Sequence, residues 1–173
     1  MLLRFDNFEE LDFPGLMAIY RESNEENAAE FYPDCRDPEE GRKMVEERFR
    51  GYLEDDFFTR PGTRYYVLRR GDEWVSAVRL FPVPERDNCW YAEALETRPD
   101  RRREGAAYEL LRALFEELSR DGTFEITDSV SKKNEASLKL HKACGFKVFQ
   151  EESVCVLNRY RNPWAYGLKY AGE

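Results

Sequence analysis

Trp90-Tyr91-Ala92-Glu93-Ala94-Leu95 followed, beyond Pro99, by Arg102-Arg103-Glu104-Gly105-Ala106-Ala107 is the stretch whose reading decides the fold. The first six residues are an apolar-aromatic strand, and the second six a basic turn of small residues. Directly after the turn, Ala107, Leu110, Leu111, Leu114 and Leu118 fall at i, i+3, i+4, i+7 and i+11, a single core-facing helical stripe. Strand, cationic turn and helix N-terminus together make an anion cradle. The first amides of a helix lack intrahelical acceptors, and the helix dipole favours negative charge there. Arg98, Arg101, Arg102 and Arg103 concentrate positive charge at this turn of an acidic chain, as a site for a compact polyanion would. A solvated strand-to-helix turn explains the charge alone equally well.

Upstream of this run, Leu2–Phe5 reads as a short strand. Pro14 occupies a favoured first-turn position, with Leu16, Ile19 and Tyr20 at helical spacing. Asp37-Pro38-Glu39-Glu40 is an N-cap with a capping-box partner, and Val45, Phe49, Tyr52 and Leu53 share one face of the helix it opens. Beyond Pro61-Gly62 the period changes: Tyr65–Leu68 and Trp74–Leu80 are strands around the turn Arg70-Gly71-Asp72. Downstream, Asp121-Gly122 closes the stripe helix and Phe124–Thr127 resumes strand character. Asn134 caps a short helix that ends at Gly145, and Val148–Leu157 and Trp164–Tyr170 are the last expected strands. The order β-α-α-β-β-β-α-β-α-β-β predicts an α+β (mixed α/β) fold, a central sheet with helices on its faces.

Bulk composition narrows the class. A length of 173 residues suits one domain, 1–173, with a substantial core. The 42% hydrophobic content excludes intrinsic disorder, and no apolar run approaches the roughly 20 residues that span a bilayer, so no membrane partner is expected. Asp6, Glu9 and Glu10 near Met1, without a basic segment before an apolar core, argue against a secretory leader. Cys35, Cys89, Cys144 and Cys155 are scattered and are expected to be reduced thiols of a cytoplasmic protein. A single histidine excludes a multi-histidine metal site, and no metal is expected. A net charge of −8 weighs against nucleic-acid binding.

Two motifs give the chain its resemblance to a known family. Pro99-x-x-Arg102-x-x-Gly105-x-Ala107 is similar to the Q/R-x-x-G-x-G/A loop of the GNAT family of N-acetyltransferases. Asn134-Glu135-Ala136-Ser137-Leu138-Lys139-Leu140-His141-Lys142-Ala143-Cys144-Gly145-Phe146 resembles that family's second signature, N-x-x-(A/S)-x-x-(L)-(Y/H)-x-x-x-G-F. They occur in the family's order, and nearly the whole chain fits its order of elements.

The resemblance implies a mixed, mostly antiparallel, twisted sheet of six to seven strands flanked by about four helices. It also implies acetyl-CoA as co-substrate, with transfer to a primary amine of a small-molecule or peptide acceptor. Amides across Arg102, Arg103, Glu104, Gly105, Ala106 and Ala107 would hold the pyrophosphate, and the backbone of Leu95, Glu96 and Thr97 would pair with the pantetheine arm as an added strand. Family members often carry glycine where this chain has Arg103, which here adds a cation. Asn134, besides capping its helix, would reach the pantetheine, and it shares a helix face with Ser137 and His141. A homodimer is a further analogy.

Catalytic expectations follow. His141 stands where relatives commonly carry tyrosine, as the acid for the departing thiolate. An imidazolium near ~6.5 donating to the thiolate of a thiol near ~8.5 is downhill by roughly 2.7 kcal/mol. A histidine that merely packs against the cofactor fits as well. The amine must lose a proton, and Glu93 is the expected base. Strand alternation would place it on the face opposite Glu96, so that only one of the two looks into the acceptor cleft. The acceptor site is expected among the N-terminal helices and the segments Asn24–Tyr32 and Glu54–Phe58. A non-catalytic acyl-CoA-binding regulatory module remains the alternative.

Overall fold

The computed structural model describes residues 1–172. In chain order it contains β1 (Leu2–Phe5), α1 (Phe13–Ile19), α2 (Arg21–Phe31), α3 (Pro38–Tyr52), β2 (Arg64–Arg70), β3 (Glu73–Pro82) and β4 (Cys89–Thr97). There follow α4 (Ala106–Ser119), β5 (Phe124–Ser131), α5 (Glu135–Ala143), β6 (Lys147–Gln150), β7 (Ser153–Val154), β8 (Arg161–Asn162) and β9 (Ala165–Gly172). Seven strands form one sheet in the order β1-β2-β3-β4-β5-β9-β6, antiparallel throughout except for β4 beside β5. The expected α+β fold is observed, with five helices rather than four.

Alternation divides the sheet between two cores. Tyr66 and Leu68 of β2 pack with Leu110, Leu111, Leu114 and Leu118 of α4, while Tyr65 and Val67 face Leu16 and Ile19 of α1. The α4 stripe is as expected, except that Ala106 rather than Ala107 is buried at its start and Phe115 joins it. Polar residues fix the helix ends where the sequence places them. Asp37 accepts from the Glu39 amide, and Asn134 from the Ser137 amide. At the end of α5, Gly145 takes φ +96°, its N–H donates to Lys142 O and that of Phe146 to His141 O, the paired bonds of a Schellman ending.

Three segments depart from expectation. Arg21–Phe31, expected as a lining segment after the first helix, is a helix of its own. It has no apolar stripe to announce it, burying only Asn24 and Ala28. Packing holds it: at Gly41 of α3 an added Cβ would lie 3.3 Å from Ala28 Cβ, a tight contact that glycine avoids where the two helices approach. Leu53–Phe57 prolongs α3 as a single π turn, burying Leu53 and Phe57. The expected strand Val148–Leu157 breaks after Gln150. Cys155 N donates to Tyr160 O and Arg159 adopts φ +62°, so the chain reverses and β7 pairs with β8.

Candidate active site

β4 and β5 pair only from Cys89 to Tyr91, against Glu125 to Thr127. Beyond Tyr91 the two strands part, leaving that edge of β4 without a strand partner. On its other side β4 stays bonded to β3 as far as Thr97, but with an irregularity: Arg79 opposes Glu93 while Ala77 opposes Glu96. One extra residue is therefore accommodated in β4, a bulge, and Ala94 within it sits at φ +54°. That conformation costs a non-glycine residue about 1–2 kcal/mol. A relay holds it: Tyr65 OH lies 2.9 Å from Tyr20 OH, which donates to Ala94 O at 2.7 Å.

The bulge corrects the expectation that Glu93 and Glu96 look to opposite faces. Their cross-strand partners, Arg79 and Ala77, are two apart on β3 and so share a face, and the extra residue brings both glutamates to it. Glu93 forms an ion pair with Arg79 at 3.1 Å. Glu96 lines a cavity of about 350 Å³ bounded by α2, α3 and the bulge, with Tyr20, Asn24, Phe49 and Arg79 among its walls. Its Oε2 is buried without a hydrogen-bond partner. Burial pushes this carboxyl above the usual range, outweighing Ser23 and Arg102, which draw it down. Glu96 O accepts from Ser76 Oγ at 2.6 Å, and Arg98 N from the other side donates to Val75 O. Glu96 thus turns its backbone toward β3, and by alternation Leu95 and Thr97 turn theirs to the open edge.

At the start of α4, Gly105 takes φ +77° and an added Cβ would find nothing within 4 Å. No side chain caps this end. Among the described residues, the amides of Arg102 through Tyr108 have no backbone acceptor outside regular helix bonding, the first being Glu109 N to Gly105 O. Arg103 adopts φ +66°, the conformation that glycine would take without cost, so the loop keeps its shape despite the departure from the motif. The cationic island is largely spent internally: Arg98 and Arg101 bind Glu73, and Arg102 binds Glu22 of α2. Arg103 alone of the four forms no ion pair among the described residues. The cradle is thus chiefly one of backbone amides.

Asn134, Ser137 and His141 do come together. His141 is 2% exposed, Nδ1 lies 2.8 Å from Ser137 O and 3.2 Å from its Oγ, and Nε2 lies 3.0 Å from Asp128 Oδ2. A carbonyl and a carboxylate both accept, so both ring nitrogens donate and the imidazolium fits the site. Burial opposes that charge, but the bond to Asp128, its negative charge and the Ser137 carbonyl together hold His141 above its ordinary value. The four cysteines are free thiols; burial pushes Cys144 up to about 11. Among the described residues no His, Cys, Asp and Glu group could hold a metal ion, and no helix is long and apolar enough to cross a membrane.

Sequence reading missed two of these side chains. Asp128 had a signal, an acid inside a strand of buried neighbours, a position where aspartate is depleted. Arg79 had one too, an arginine in the apolar run Val75–Leu80. Glu96 is expected there only as the alternative to Glu93, because the bulge that aims both to one face is invisible in the residue pattern.

An open helix start thus follows the strand β4 that parts from β5 beyond Tyr91. The chain belongs to the Acetyltransferase (GNAT) family, whose profile matches residues 16–146. Its fold is similar to that of PaiA N-acetyltransferase from Thermoplasma acidophilum in complex with coenzyme A, at TM-score 0.65 and 14% identity over 98% of each chain. It is also similar to aminoglycoside 6'-acetyltransferase type Ii, at TM-score 0.61 and 16% identity over 98% of this chain and 96% of that one. The ribosomal-protein-alanine N-acetyltransferase from Brucella melitensis gives TM-score 0.57 and 21% identity over 98% of each chain. No curated protein sequence matches the chain.

Proposed function

We propose that this chain transfers the acetyl group of acetyl-CoA to the primary amine of a small-molecule or peptide acceptor by direct attack. One juxtaposition carries the reading: the unpaired edge of β4 lies between the open amides of α4 and the cavity that holds Glu96. The residues fit the co-substrate. The amides of Arg102 to Ala107 take its diphosphate, Gly105 leaves room for close approach, and Leu95 and Thr97 offer backbone groups to the pantetheine. Asn134 spends Oδ1 on the cap, and its Nδ2, unengaged among the described residues, faces the same role. Bound acetyl-CoA supplies an activated thioester.

This chain's own groups manage the protons. A primary amine is mostly protonated near neutral pH and must lose a proton before it attacks. Glu93 was the sequence-based expectation for that step. The ion pair with Arg79 occupies it, and we assign the base to Glu96, whose raised affinity for protons suits the task. His141, held above its ordinary value by Asp128 and the Ser137 carbonyl, is assigned as the acid for the departing thiolate. Both its protons are engaged internally, so donation opens its bond to Ser137 or to Asp128.

The test is free-thiol release from acetyl-CoA across amines, amino acids, polyamines and peptides, repeated with Glu96→Gln, Glu93→Gln and His141→Ala. Loss of turnover in Glu96→Gln beyond that in Glu93→Gln supports the assignment, and the reverse order returns the base to Glu93. A melting temperature raised by CoA with no thiol released from any compound identifies a binding module instead.

A further inference from the structure

The cavity under the bulge has two arginines in its lining, Arg79 and Arg48. Arg79 of β3 lies in its wall, 9% exposed, its guanidinium 5.2 Å from the ring centroids of both Phe49 and Tyr52. Nη2 is paired with Glu93, while Nε and Nη1 are buried without a partner. Arg48 of α3 stands exposed at the rim, 4.9 Å above the ring of Phe31, and forms no ion pair among the described residues. Against these two cations the cavity lining sets one carboxyl, Glu96, with Glu22 and Glu26 of α2 near enough to act on it. Glu93 offsets Arg79 from outside the cavity wall.

A polyamine or an amine on a cationic body would meet like charge here, a juxtaposition that costs affinity. An acceptor with an amine at one end and an acid at the other leaves both needs met. Its amine sits beside Glu96 at the bulge, next to the open edge of β4. Its acid reaches Arg48 at the rim, which forms no ion pair among the described residues. Between them Phe31, Phe49 and Tyr52 offer an apolar lining.

We propose that the acceptor is an aminocarboxylate, an amino acid or close analogue with an apolar body, and that Arg48 reads its carboxylate. This deepens the acetyltransferase reading above and rests on it. The reaction is then acyl transfer from the thioester to the amine, with the amine proton passing to Glu96 and CoA leaving as the thiol.

The experiment uses matched sets: each apolar or aromatic amino acid, its carboxamide, and the decarboxylated amine with the same side chain. Thiol release from acetyl-CoA is measured with the full chain and with Arg48→Gln and Arg48→Glu, both at an exposed position where folding is not at stake. Expected is a kcat/KM about tenfold or more higher for the acids, carried by KM, as suits a charge contact made in the bound state. Arg48→Gln removes most of that advantage by lowering turnover of the acids and not of the decarboxylated amines; Arg48→Glu reverses the preference. Amines and carboxamides turned over as well as the acids would overturn the inference while leaving the transferase intact, and so would Arg48→Gln affecting all three alike. Thiol release from nothing, with CoA still raising the melting temperature, overturns both.

Discussion

The two halves of the site are built in opposite ways. The cradle at the start of α4 comes from one contiguous run, Arg102–Tyr108, and works through backbone amides. The cavity proposed for the acceptor draws Tyr20 from the end of α1, Phe31 from α2, Phe49 from α3, Arg79 from β3 and Glu96 from β4, and offers side chains. A diphosphate presents the same shape and charge to every enzyme that uses it, so a local backbone device suffices. An acceptor is recognised by the placement of particular groups, which only packing of distant segments supplies. The bulge at Ala94 joins the halves, since it turns Glu96 to the cavity while Leu95 and Thr97 keep the open edge.

Breaking the cavity half alone should give the largest effect. Glu96→Gln is expected to lower kcat/KM by about 10²–10⁴-fold and to leave the CoA-induced rise in melting temperature unchanged. The working form of Glu96 is the carboxylate and its value is raised, so wild-type kcat/KM rises with pH through that raised value; the glutamine variant should lose this limb.

Breaking the cradle alone comes next. Gly105 stands at φ +77° with open space around it, so Gly105→Val strains backbone by about 1–2 kcal/mol without a core clash. It should weaken CoA binding about tenfold or more by obstructing the amides. Calorimetric titration with CoA measures it, and unchanged affinity would place the diphosphate elsewhere.

The buried pair of His141 and Asp128 has a signature in stability. His141 is raised when folded, so the contribution of its pair with Asp128 is fully present below the ordinary histidine value near ~6.5 and is lost as pH rises through the raised one. The urea midpoint should fall across that window in the wild type and stay flatter in Asp128→Asn.

The smallest effect sharpens the link between cradle and cavity. Glu22 of α2 holds Arg102, and both side chains are nearly half exposed. Such a pair is worth about 0–1 kcal/mol, so Glu22→Gln should free Arg102 for the diphosphate and tighten CoA up to about fivefold. Weaker binding would mean that the ion pair positions the loop.

Much of this was legible in the residues. Asp37 and Asn134 cap their helices where they stand in the sequence, and the leucine stripe of α4 meets the core. Helix α2 was not legible, because its eleven residues bury only Asn24 and Ala28 and owe their place to the close approach at Gly41. The arginine cluster was legible as charge but not as partners: Glu73 and Glu22, which absorb most of it, lie far from it along the chain.

The sequence by itself determined the order of elements apart from α2 and the β7–β8 pair, the capped starts of α3 and α5, and the stripe of α4. Each depends on residues within a turn or two of one another, where backbone preference and capping act. Tertiary structure decided the shared face of Glu93 and Glu96, the charge left free on Arg48 and the bonds that claim both nitrogens of His141. Those rest on strand register and on contacts between distant segments, and one inserted residue at Ala94 was enough to reverse what alternation alone prescribes.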